Sequence, residues 1–141
     1  EMFRDFFWPY YRKLAGMFGL VSYGCCEPVH LHWGPCISGL TNLRKVSISA
    51  WCDENIMGEA LRGGRVIYHR KPSPNFFSSG FNLDEPAISA YFEKTLKAAR
   101  GCRLEFSFRD IYTLEGNPAK LRRAVELLRN LIADHWHTKG M

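Results

Sequence analysis

Lys45-Val46-Ser47-Ile48-Ser49 alternates apolar with polar residues, and Asp53-Glu54-Asn55-Ile56-Met57-Gly58-Glu59-Ala60-Leu61 follows directly behind it. The alternation is the period of a half-buried strand. Asp53 is a helix N-cap residue, and Ile56, Met57, Ala60 and Leu61 then recur at helical spacing until Gly63-Gly64. One strand followed by one helix is the unit from which the rest of the chain is read.

Working toward the carboxyl end, Arg65-Val66-Ile67-Tyr68-His69 predicts a second strand of this kind. Pro72 and Pro74 forbid its ladder from continuing and open a loop to Leu83. Asp84 then caps a helix with Ile88, Tyr91, Phe92, Leu96 and Ala99 on one face, ending at Gly101. Residues 103–108 predict the next strand, and Asn117 with Pro118 at the first helical position starts the last helix, whose stripe is Leu121, Ala124, Val125, Leu128, Leu131 and Ile132. Toward the amino end, Leu20-Val21-Ser22-Tyr23 predicts a buried strand that breaks at Gly24-Cys25-Cys26-Glu27-Pro28, and residues 34–42 read as loop and weak helix. Before it, Phe3, Phe6, Phe7, Tyr10, Leu14 and Phe18 predict an amphipathic helix with its apolar face in the core, kinked or restarted at Pro9 and ended by Gly19. Four βα cycles with parallel strands, preceded by a helix, follow from this spacing.

The chain has 141 residues, 46% apolar, 14% aromatic and 23% charged, which excludes disorder as its main state. A complete (β/α)₈ barrel takes about 250 residues. The expectation is therefore an α/β chain of four consecutive βα units, about half of a TIM (β/α)₈ barrel, with residues 1–141 as a single partial domain. Glu1, which is not an initiator, fits a start inside something longer. A formal charge of +5 permits an anionic ligand. The basic residues are scattered, and the densest group, Lys120, Arg122 and Arg123, reads as a solvated helix face, which argues against nucleic acid as a partner. Neither GxGxxG nor a Walker-A pattern is present. Five cysteines, an odd number without a secreted framework, and the absence of a signal peptide or an apolar run of membrane length predict a reduced cytoplasmic protein with no membrane partner.

Polar residues gather just after each strand, the edge where β/α barrels build their chemistry. Cys25, Cys26 and His30 are candidate metal ligands, because thiolates and imidazoles suit zinc. His30 and His32 alternate with Leu31, which places both on one side of an extended stretch. Adjacent cysteines diverge, so the competing reading packs Cys26 inward as a small hydrophobe and leaves Cys25 inert. Glu27 is a candidate general base or ligand, or else an acceptor for backbone amides before Pro28. Asp110 is a candidate catalytic carboxylate facing Cys25 across the barrel mouth, or else an ion-pair partner of Arg109. Arg70, Lys71 and Arg109 are candidate contacts for a substrate carboxylate or phosphate. Trp51 and Asp53 read as structural, by ring packing and helix capping. Cys36, Cys52 and Cys102 read as packing residues, and His135 and His137 as incidental.

Three phrases, Tyr23-Gly24-Cys25-Cys26-Glu27-Pro28, the run from Leu43 to Asp53, and Arg70-Lys71-Pro72-Ser73-Pro74, resemble the uroporphyrinogen decarboxylase superfamily, which also contains zinc-dependent corrinoid methyltransferases. The resemblance runs through nearly the whole chain and corresponds to the C-terminal half of the family's barrel. It implies methyl transfer from a corrinoid, carried on a partner protein, to a thiol or other nucleophile activated by zinc. Four βα units cannot close a barrel alone and leave two sheet edges exposed, so an N-terminal half-barrel or a second copy of this chain is the expected partner. In the family's methyltransferases a His-x-Cys pair and a later Cys hold the zinc. Cys25 matches the first cysteine, while Tyr23 stands at the histidine and Arg109 or Asp110 at the second cysteine. The decarboxylases carry a Gly-His-Gly loop after the last strand, where this chain has Phe108-Arg109-Asp110. Methyl transfer is thus the leading expectation. Decarboxylation of an acidic tetrapyrrole and a non-catalytic, self-associating half-barrel are its rivals.

Overall fold

In the computed structural model, which describes residues 1–136, strands and helices alternate along the chain. A π-helical turn at Phe3–Phe7 leads into α1 (Trp8–Ala15), and then β1 (Val21–Tyr23), α2 (His30–Trp33) and β2 (Leu43–Ile48) follow. Next come α3 (Glu54–Leu61), β3 (Ile67–Arg70), α4 (Asn75–Ser78), α5 (Glu85–Ala98), β4 (Arg103–Phe106) and α6 (Ala119–His135). The strands form one sheet in the order β1-β2-β3-β4, and every pairing is parallel. Parallel neighbours require a crossover, which α2 supplies between β1 and β2, α3 between β2 and β3, and α4 with α5 between β3 and β4.

Local chemistry starts the helices where the sequence predicts. Asp53 Oδ1 accepts from the N–H groups of Asn55 and Ile56, Asp84 Oδ1 from that of Ala87, and Asn117 Oδ1 from that of Ala119. Each such cap is worth about 1 kcal/mol. The strand faces separate cleanly. Val46, Ile48, Tyr68 and Arg70 point into the helix layer and are buried, and Met57 and Leu61 of α3 pack in the same cluster as Val46, Ile48 and Tyr68. A second cluster joins Phe77, Ile88 and Phe92 to Ala124 and Leu128 of α6. The opposite sheet face presents Ser22, Lys45, Ser47, Ile67, His69, Arg103 and Glu105, following strict alternation through the paired registers.

Several expectations are corrected. The amino-terminal helix does not bury its apolar stripe: Trp8 and Ala15 are buried, whereas Phe6, Phe7, Tyr10, Leu14 and Phe18 are exposed, and the α-helix ends at Ala15, before Gly19. Periodicity marks an apolar face but does not supply what covers it. His30 and His32 lie in a short helix rather than an extended stretch, so two residues apart they do not share a side. Trp51 is 76% exposed and packs no core. Lys120 is buried, its ammonium donating to the carbonyls of Phe77 and Gly80 instead of facing solvent. Cys36, Cys52 and Cys102 are buried as expected, and His137 lies outside the described residues. Among the described residues no helix is long and apolar enough to cross a membrane.

Candidate functional site at the carboxyl ends of the strands

Gly24 ends β1 with φ +94°, and a Cβ there would sit 3.1 Å from both Ser47 Cβ and Val29 Cγ1. Glycine is needed twice over, for the left-handed backbone and for the close approach. The chain then turns through Cys25, Cys26 and Glu27. Glu27 Oε2 accepts from the Cys25 N–H at 2.8 Å, and the Glu27 carbonyl accepts from Ser49 Oγ at 3.2 Å. The carboxylate therefore does the backbone-acceptor work, closing the turn on itself. Both thiols are exposed, with Sγ atoms 3.5 Å apart, so Cys26 does not pack inward.

Charges from the neighbouring strands reach this turn. Lys71, one residue beyond β3, extends its ammonium to the Cys25 carbonyl at 3.4 Å. The Cys26 thiol is held above its ordinary pKa, first by its hydrogen bond with Cys25 and then by burial, with the Asp110 charge adding and Lys71 opposing. Asp110 takes a left-handed φ of 59° in the loop after β4, and among the described residues it makes no ion pair with Arg109. Both Arg109 and Asp110 are exposed. Tyr23, the last residue of β1, has its phenol pushed up to about 12, chiefly by burial, and so stays neutral.

Two other candidates are occupied elsewhere. Arg70 was expected at the rim, but its side chain is 1% exposed and points into the helix layer. Its guanidinium donates to Glu54 Oε1 at 2.9 Å, to the Tyr91 hydroxyl, and to the carbonyls of Ile48 and Ser49. Strand alternation decides this: Lys71 leaves the sheet, whereas Arg70 is the last residue of β3 and shares the face of Tyr68. His30 Nδ1 accepts from the Asp53 N–H at 3.1 Å, tying α2 to the start of α3. His32 stacks on Phe3, with ring centroids 4.1 Å apart.

On the sheet face opposite the helix layer lies a polar row that local sequence does not reveal. Ser47, His69 and Glu105 are register partners on β2, β3 and β4. Lys45 Nζ donates to Glu105 Oε1 at 2.7 Å, and His69 Nε2 lies 3.8 Å from the same oxygen. Ser47 Oγ and His69 Nε2 are buried without hydrogen-bond partners. Burial lowers the His69 pKa below 6.5 despite the opposing pull of Glu105, favouring the neutral ring. Alternation with Val46, Tyr68 and Leu104 was the available signal.

Among the described residues no three His, Cys, Asp or Glu side chains converge to hold a metal ion. The donor chemistry of the Cys25-Cys26 pair nevertheless suits one: with Zn–S bonds of about 2.3 Å, two thiolates of a tetrahedral site lie roughly 3.8 Å apart, close to the spacing of this turn. No family model, curated protein or solved structure matches this chain.

Proposed function

We propose that this chain is the C-terminal half of a uroporphyrinogen decarboxylase-like (β/α)₈ barrel and serves a corrinoid-linked methyl transfer to a thiol or other nucleophilic acceptor. The observation that carries the reading is the gathering, at the carboxyl ends of the strands, of Cys25 and Cys26 after β1 with Lys71 after β3, which reaches the Cys25 carbonyl, and Asp110 after β4, whose charge acts on the Cys26 thiol. Consecutive parallel strands that deliver their chemistry to their carboxyl ends are the arrangement on which barrel enzymes build active sites. The resemblance of the three sequence phrases supplies the reaction class.

In this reading Cys25 and Cys26 are the two thiolate donors of a zinc site, and the remaining donors come from the half that completes the barrel. When bound, the ion would supply the positive charge that holds an acceptor thiol as its anion. Lys71 and Arg109 present cationic groups to an anionic acceptor, Lys71 as a point charge and Arg109 as a planar fork. Glu27 shapes the turn, and Asp110 is the carboxylate assigned to exchange a proton with an acceptor. The open sheet edges of β1 and β4 favour a barrel completed by a partner half or a second copy.

The test is thiol-dependent demethylation of a methylcorrinoid by the completed barrel. Cys25→Ala should lower the rate by at least about tenfold, the scale seen when metal-site support is removed. A Cys25→Ala variant with the full rate, in a protein that retains no zinc, contradicts the reading.

A further inference from the structure

We propose that Cys25 and Cys26 act as one vicinal dithiol, which low-molecular-weight disulfides such as oxidised glutathione convert to a disulfide within the turn. Adjacent residues need not bring their sulfurs together, since successive side chains commonly diverge. Here the Sγ atoms are 3.5 Å apart and both residues are exposed. The turn is braced from three sides: Glu27 holds the Cys25 N–H, Lys71 reaches the Cys25 carbonyl, and Gly24 packs against Ser47 and Val29. The other three cysteines are buried, and the Cys102 thiol donates to the Gly58 carbonyl at 3.3 Å. Attack from solvent is therefore directed to this pair.

The chemistry is thiol–disulfide exchange in two steps. One thiolate of the pair attacks a sulfur of the small disulfide, forming a mixed disulfide and releasing one thiolate. The second protein thiolate attacks the protein sulfur of that mixed disulfide, forming the Sγ–Sγ bond and releasing the second small thiolate. Two electrons pass to the small disulfide, and the two protons lost by the cysteines end on the two released thiols. Closing the bond takes the sulfurs to about 2.05 Å while the α-carbons of adjacent trans residues stay about 3.8 Å apart, shorter than ordinary disulfides span. The product is strained and exposed, which marks a labile, readily reduced bond. It would also take both thiolate donors away from a metal. The inference concerns the same turn as the methyl-transfer reading but stands on the geometry of the pair alone.

The experiment treats the reduced, metal-free chain in native buffer with oxidised glutathione, then alkylates with N-ethylmaleimide in denaturant and maps the peptides by mass. The peptide containing Cys25 and Cys26 should lose two hydrogens and take no alkyl group, while Cys36, Cys52 and Cys102 are alkylated. Cys25→Ser and Cys26→Ser should each stop at a stable glutathione adduct on the remaining thiol. A wild-type chain that stops at the same adduct, or that joins two chains through these cysteines, overturns the proposal. Ring closure in a protein that binds no zinc would remove the metal reading and leave this one intact, and zinc binding without ring closure would do the reverse.

Discussion

Arg70 Nη2 donates to Glu54 Oε1 across 2.9 Å, with the two side chains 1% and 3% exposed. This pair fastens the carboxyl end of β3 to the first turn of α3, and the Thr95 hydroxyl of α5 holds the second oxygen of Glu54. It also withdraws Arg70 from any ligand. Removing one partner leaves a buried charge uncompensated, so Arg70→Met or Glu54→Gln should each cost about 3–5 kcal/mol of stability in urea unfolding. The double variant should recover part of that loss. Single variants within about 0.5 kcal/mol of wild type would contradict this role, since that is the range of inert surface changes.

Gly58 sets how closely α3 and α5 approach. A Cβ at this position would lie 2.0 Å from the Ala98 carbonyl oxygen. Gly58→Ala should therefore destabilise by about 1–3 kcal/mol, the usual cost of overpacking, although alanine is the better helix former. A lower midpoint in thermal unfolding is the expected result.

His69 makes stability depend on pH. Its folded pKa is depressed below 6.5 by burial, while Glu105 pulls the other way and Lys45, Lys71 and Arg109 reinforce the depression. Below 6.5 the unfolded chain binds the proton more readily than the folded one, so stability is full above that value and falls as the pH drops toward the folded pKa. His69→Gln should flatten stability across this window. Glu105 has the opposite chemistry with the same slope: Lys45 holds its pKa below 4.5, so its contribution is kept above that value and lost in stronger acid.

The legibility of the sequence followed the range of the interactions. Asp53 and Asp84 cap through bonds two or three residues away, so their helices could be read in advance. Lys120 and Arg70 could not, because the carbonyls and carboxylate that bury them lie 16 to 43 residues away. The turn at Cys25 and Cys26 was found from its place behind a strand. Ser47, His69 and Glu105 each look ordinary within their own strands, and only parallel registration makes them neighbours.

Exposed Phe6, Tyr10, Leu14, Met17 and Phe18 form an apolar surface on and just after the first helices, and β1 and β4 are open edges. Such a surface favours association. Light scattering should find a species larger than the 16.3 kDa chain, whereas a stable, monodisperse monomer would count against the half-barrel reading.

Cobalt(II) titration of the reduced chain tests most directly whether the Cys25-Cys26 turn is a thiolate metal site. The expected result is one ion per chain with thiolate-to-cobalt charge-transfer absorption, displaced by zinc and reduced by Cys25→Ser or Cys26→Ser. No charge-transfer band, or a band that survives both substitutions together, would contradict it.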